Sequence, residues 1–129
     1  MAEVITGLHS VTIHIRDIHK AEAFYRDVLG LKELLFDEKA SRAVFELPNT
    51  RTLLTMHVQG PNEGGREPGT VSGVVFSHPD PAVACAEIER RGGTVTLAPT
   101  TFETSLGRFV RAVIADPDGN EFLISNRTD

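Results

Sequence analysis

Five histidines, one cysteine and a few charged strand residues are the chemically versatile groups of this chain. An imidazole titrates near neutrality, binds metals and moves protons, so His9, His14, His19, His57 and His78 come first. In SVTIHI, Val11, Ile13 and Ile15 alternate with Ser10, Thr12 and His14. That period of two marks a strand with one apolar and one polar face, and His14 shares the polar face with Ser10 and Thr12. In TLLTMHV the same rule puts His57 on the face of Thr55. Each of these two histidines reads either as a hydrogen-bonded wall residue or as a group that binds substrate or transfers a proton. His9, one residue before Ser10, falls on the opposite, helix-packed face. His19 lies in a first helical turn and His78 beside a loop, which suits surface roles. Glu121 shares a face with Leu123. A carboxylate aimed into an apolar space is costly unless paired, so it stands at a rim or pairs with His14, His57 or an arginine. Arg108 and Arg111 are either solvated strand charges or a clamp for an anionic ligand. Cys85 fits a packed helix residue, since nothing beside it in sequence would stabilise a thiolate.

The elements that must position these groups come in duplicate. SVTIHIRDIHKAEAFYRDVLG, from Ser10 to Gly30, returns without a gap as GVVFSHPDPAVACAEIERRGG, from Gly73 to Gly93. Each copy reads as a strand running into a helix. Asp17 and Asp80 fall where a helix N-cap is wanted, and Pro81 suits a first helical position. Ile18, Ala21, Tyr25, Val28 and Leu29 recur at helical spacing, and Gly30 and Gly92-Gly93 suit the left-handed turn that ends a helix. After Gly30, LKELLFDE, SRAVFELPN and TRTLLTMHVQ read as three strands. After Gly93, TVTLAP, RFVRAVIAD and EFLISN do the same, with Asp116-Pro117-Asp118-Gly119-Asn120 as the turn of a hairpin. The segment Thr101 to Gly107 is expected to be a polar loop able to flank a cavity. Residues 60–69, rich in Gly and Pro and without an apolar side chain, read as the linker. The result is one duplicated domain over residues 1–129: a first module of about 5–59 and a second of about 70–126.

A chain of 129 residues is long enough to bury one ordinary core without metal or disulfide staples. Its net charge of −5 lacks any long basic run, which argues against nucleic acid and anionic membrane as partners. A lone cysteine excludes a disulfide framework and favours a reducing compartment. The opening MAEVITGLHS has neither a charged leader nor a long apolar run, and the expectation is a cytoplasmic protein.

LHSVTIHIRDIHKAEAFYRDVLGL, FSHPDPAVACAEIERRGG and DPDGNEF together resemble the vicinal oxygen chelate superfamily of glyoxalases, bleomycin-resistance-type binding proteins and ring-cleaving dioxygenases. The resemblance implies an α+β fold of two βαβββ modules whose strands curl into an open, barrel-like cleft with helices outside. It also implies that a second subunit often completes such a short chain's cleft, hence a homodimer. Metal-dependent members draw one ligand from each of four strands. Those positions correspond here to Ser10, Gly73, Thr55 and Leu123, which offer no imidazole and no anionic oxygen.

The expectation is therefore a metal-free protein, without cofactor, that binds a small molecule in the manner of the bleomycin-resistance-type members. Ser10, Thr12, His14, Thr55, His57, Val75, Ser77, Glu121 and Leu123 would line its cleft, a mixed polar and apolar surface suited to a medium-sized ligand. The alternative is a lyase, isomerase or dioxygenase whose divalent metal is held by the non-standard set His9, His14, His57 and Glu121.

Overall fold

The computed structural model describes residues 4–58, 68–69, 71–105 and 107–127. Most of the expected linker lies outside the described residues. In chain order the elements are β1 (Ser10–Ile15), α1 (Ile18–Ala23) continuing as a π-helical stretch (Phe24–Val28), β2 (Lys32–Asp37), β3 (Arg42–Glu46), β4 (Leu53–Val58), β5 (Val71–Ser77), α2 (Pro81–Arg90), β6 (Thr94–Thr104), β7 (Gly107–Ala115) and β8 (Glu121–Ser125). They form two four-stranded mixed sheets of matching order, β1-β4-β3-β2 and β5-β8-β7-β6. In each the first strand runs parallel to the last, and the remaining neighbours are antiparallel. The chain is thus a pair of βαβββ modules, and neither sheet closes into a barrel.

Local chemistry accounts for both helix starts. The Asp17 carboxylate accepts from the amides of His19 and Lys20, and that of Asp80 from Ala82 and Val83. The backbone donors, Lys20 foremost, hold the Asp17 carboxyl below its ordinary value. Gly30 and Gly92 take positive φ of 72° and 87° where the helices end.

Three local expectations fail. The first helix was expected to keep α-helical spacing through Leu29, but it widens to π-helix at Phe24, so that Phe24 and Tyr25 are both buried. The segment Thr101–Gly107 is largely strand: β6 runs on to Thr104, because the stacked rings of Phe102 and Phe109, 5.8 Å apart, extend its pairing with β7. Pro99 does not stop the strand because it sits at a register shift on a sheet edge, where no ladder donor is required. His9, finally, is exposed just before β1 instead of packed under a helix.

One apolar core serves both modules. Ile13, Ile15, Phe45, Leu54 and Met56 of the first join Ile88, Ala112, Ile114, Phe122 and Ile124 of the second. Tyr25 lies at the centre, its ring about 6.0 Å from those of both Phe45 and Phe122. Burying a side chain of this size stabilises by about 1.5–3 kcal/mol. The polar seam beside this core starts at Tyr25, whose hydroxyl donates to Asp116 at 2.7 Å. Asp116 also accepts from the amides of Asp118 and Asn120 and from the Asn120 side chain. Asn120 Nδ2 donates in addition to the His14 carbonyl at 2.9 Å, and Arg16 pairs with Asp118 at 3.3 Å. The turn Asp116–Asn120 therefore closes its own hairpin and clamps β1 of the other module. The modules also meet at Gly93, where a Cβ would stand 2.6 Å from Ile88 Cγ2 and 2.9 Å from Val28 Cγ1.

Candidate functional site

Each sheet turns one face to the core and leaves the other for a site. Strand register turns that second face into rows of side chains, because directly paired residues point the same way. On the first sheet the rows are Ser10–Leu53–Glu46–Lys32, Thr12–Thr55–Val44–Leu35 and His14–His57–Arg42–Asp37. On the second they are Val75–Leu123–Val113–Leu97 and Ser77–Ser125–Arg111–Thr100, with the pair Phe102–Phe109 beyond and Glu121 on the other flank.

Five expected residues, Ser10, Thr12, His14, Thr55 and His57, thus share the open face of the first sheet. Val75, Ser77, Glu121 and Leu123 share that of the second. His14 and His57 are direct neighbours across β1 and β4. The Nδ1 atom of His14 is buried without a hydrogen-bond partner. Thr55 is buried, while Thr12 is exposed. The Glu121 carboxylate accepts from Thr96 Oγ1 at 3.0 Å, a partner the sequence did not suggest.

The remaining groups fall out of the site. His19 is exposed and pairs with Glu38, and His78 accepts the Asp80 amide on its Nδ1. Arg108 pairs across the strands with Glu103. Cys85 is buried in the core, where burial first and Glu89 second push its thiol above the ordinary value. Arg111 belongs to the face: its guanidinium lies 4.1 Å above the Phe102 ring. Its seat on Phe102 depends on two register shifts in β6, which no local pattern announces.

The donor set does not fit a metal. Ser10 and Thr55 offer hydroxyls, Gly73 offers no side chain, and Leu123 is apolar. Of the other set, His14 and His57 adjoin, but Glu121 stands on the other sheet and His9 precedes β1. Among the described residues no three His, Cys, Asp or Glu side chains converge as a metal site would need.

A groove of about 780 Å³ runs where the modules adjoin, bounded by Leu29, Leu47, Val75, Ser77, Val83 and Arg91 among others. Only Val75 and Ser77 of the expected site residues border it. Arg91 donates from this wall to the Val28 carbonyl at 3.2 Å, satisfying the end of the first helix.

Paired βαβββ modules with open sheet faces define a class, and the sequence of the chain places it there. Residues 7–124 match the family model for the Glyoxalase/Bleomycin resistance protein/Dioxygenase superfamily, and the chain belongs to that family. Among solved structures, a superfamily member from Sphaerobacter thermophilus is 28% identical, with a TM-score of 0.79 over 95% of this chain and 98% of that one. An antibiotic-binding protein from Streptomyces sp. CB03234 is 22% identical, with a TM-score of 0.77 over 95% and 97% of the two chains. A glyoxalase/bleomycin resistance protein from the same organism is 23% identical, with a TM-score of 0.68 over 92% and 98%. No curated protein matches. No helix among the described residues is long and apolar enough to cross a membrane.

Proposed function

We propose that this chain is a metal-free, cytoplasmic small-molecule-binding protein of the bleomycin-resistance type that works as a homodimer. The observation that carries this reading is the makeup of the two open sheet faces. They combine hydroxyls, two imidazoles and an aliphatic row, yet Ser10, Thr55, Gly73 and Leu123 leave the family's ligand positions without an anionic oxygen or imidazole. Such a lining suits a ligand held by apolar contact and a few hydrogen bonds. The fold shared with an antibiotic-binding protein supports the same reading. A metal-dependent lyase, isomerase or dioxygenase is the second reading, favoured by the direct pairing of His14 with His57.

Elemental analysis of the purified protein, joined to a thermal-shift screen of small molecules and of zinc, nickel, manganese and iron, separates the two. Binding reads out as stabilisation that grows with ligand concentration. We expect no stoichiometric metal and at least one stabilising organic ligand. One tightly held metal per chain, lost on His57→Ala, would establish the second reading instead.

A further inference from the structure

We infer that the open face of the second sheet binds an amphipathic monocarboxylate: Arg111 takes the carboxylate, and the row Val75–Leu123–Val113–Leu97 takes the apolar body. This rests on the small-molecule-binding reading above and names the class of ligand for the face.

The first ground is the state of Arg111. It is half-buried, its Nε atom is shielded from solvent, and that atom has no hydrogen-bond partner. Its neighbours in the ladder are Thr100 and Ser125, neither of them acidic. Nearby Arg108, by contrast, finds Glu103 directly across the strands. A buried guanidinium edge without an acceptor is costly. What holds Arg111 is the Phe102 ring 4.1 Å beneath it, itself stacked on Phe109. An aromatic face attracts the flat cation, and its terminal Nη1–Nη2 edge, unlike Nε, is not closed off from solvent. That edge matches a carboxylate, which it can hold through two parallel hydrogen bonds.

The second ground is the row next to it. Four strands in register contribute four aliphatic side chains, with Val75 55% and Leu97 40% exposed. Successive same-face residues on a strand are roughly 7 Å apart, and three strand spacings make the row about 14 Å wide. A hydrocarbon body that crosses the row over Val113 and Leu123 has its head at Arg111. The third ground is polarity. Glu121 flanks the row on the side away from Arg111, so a carboxylate placed there would meet a like charge, and the ligand has one favourable orientation.

The test uses the whole protein with decanoate and 1-decanol, compared by calorimetric titration. Decanoate should bind at least about tenfold more tightly than decanol. Arg111→Gln should weaken decanoate by about tenfold or more and leave decanol within about twofold. Val113→Ser should weaken both. Arg111→Lys keeps the charge without the planar fork, and a loss of decanoate affinity there carries the test if Arg111→Gln does not fold. The inference is overturned if decanol matches decanoate, if neither Arg111 variant changes decanoate binding, or if neither probe binds. In that last case a hit elsewhere in the wider screen leaves the binding function standing and removes only this ligand class.

Discussion

The hydroxyl of Tyr25, in the first module, donates at 2.7 Å to the buried carboxylate of Asp116, in the second. Burial first, and then the Asp116 charge, push the phenol well above its ordinary value. A group whose folded value is raised contributes stability in full below its unfolded value, near pH 10 for tyrosine, and loses it as pH climbs beyond. Alkaline unfolding should therefore begin above about pH 10. The chain has one tyrosine and no tryptophan, so phenolate absorbance reports this residue alone. Ionisation should coincide with loss of circular dichroism, and a phenolate appearing in a still folded protein would contradict the coupling. Tyr25→Phe should cost about 1–2 kcal/mol at neutral pH and flatten the alkaline limb.

Asn120→Ala should be costlier, by about 2–3 kcal/mol in denaturant unfolding. It removes the donors to the His14 carbonyl and to Asp116 and the acceptor for the Gly69 amide. Because both residues act on Asp116, the double change with Tyr25→Phe should be non-additive, and strict additivity would separate the two bonds.

The two faces of β1 should fail differently. His14→Ala and His57→Ala should leave stability within about 1 kcal/mol, since both residues lie on the open face. Ile13→Ala, at a position 5% exposed, should cost roughly 2–5 kcal/mol through lost burial and a cavity. Equal losses at His14 and Ile13 would mean that the open face carries as much packing as the core.

For the proposed homodimer, light scattering at micromolar concentration should give a mass near twice 14.1 kDa. Val4, Ile5 and Leu8 are 92%, 76% and 65% exposed and give a partner apolar surface to cover. A clean monomer mass would rule the dimer out.

What the sequence disclosed was set by how local each cause is. The caps at Asp17 and Asp80 and the hairpin turn at Asp116–Asn120 depend on neighbouring residues, and all three form as their spacing implies. Alternation likewise sorted Thr12 and His14 from Ile13 and Ile15. The π-helical stretch escaped because it is fixed by the distant rings that Tyr25 meets, Phe45 and Phe122. The far half of β6 escaped because Thr101 and Thr104 look like loop residues until Phe102 is seen stacked on Phe109. Arg111 could be flagged as a charge of two meanings, but its seat on Phe102 required a register that single-strand patterns do not contain.

Gly93 sits at a tight contact between the two modules. Val28 at the end of one helix and Ile88 on the other close around it so tightly that only hydrogen fits between them. The helices of the two modules thus come within the width of a missing methyl group of each other, beside the shared core and the Asn120 clamp that also join the modules. A side chain here would act as a wedge, prising at the core that the two sheets share.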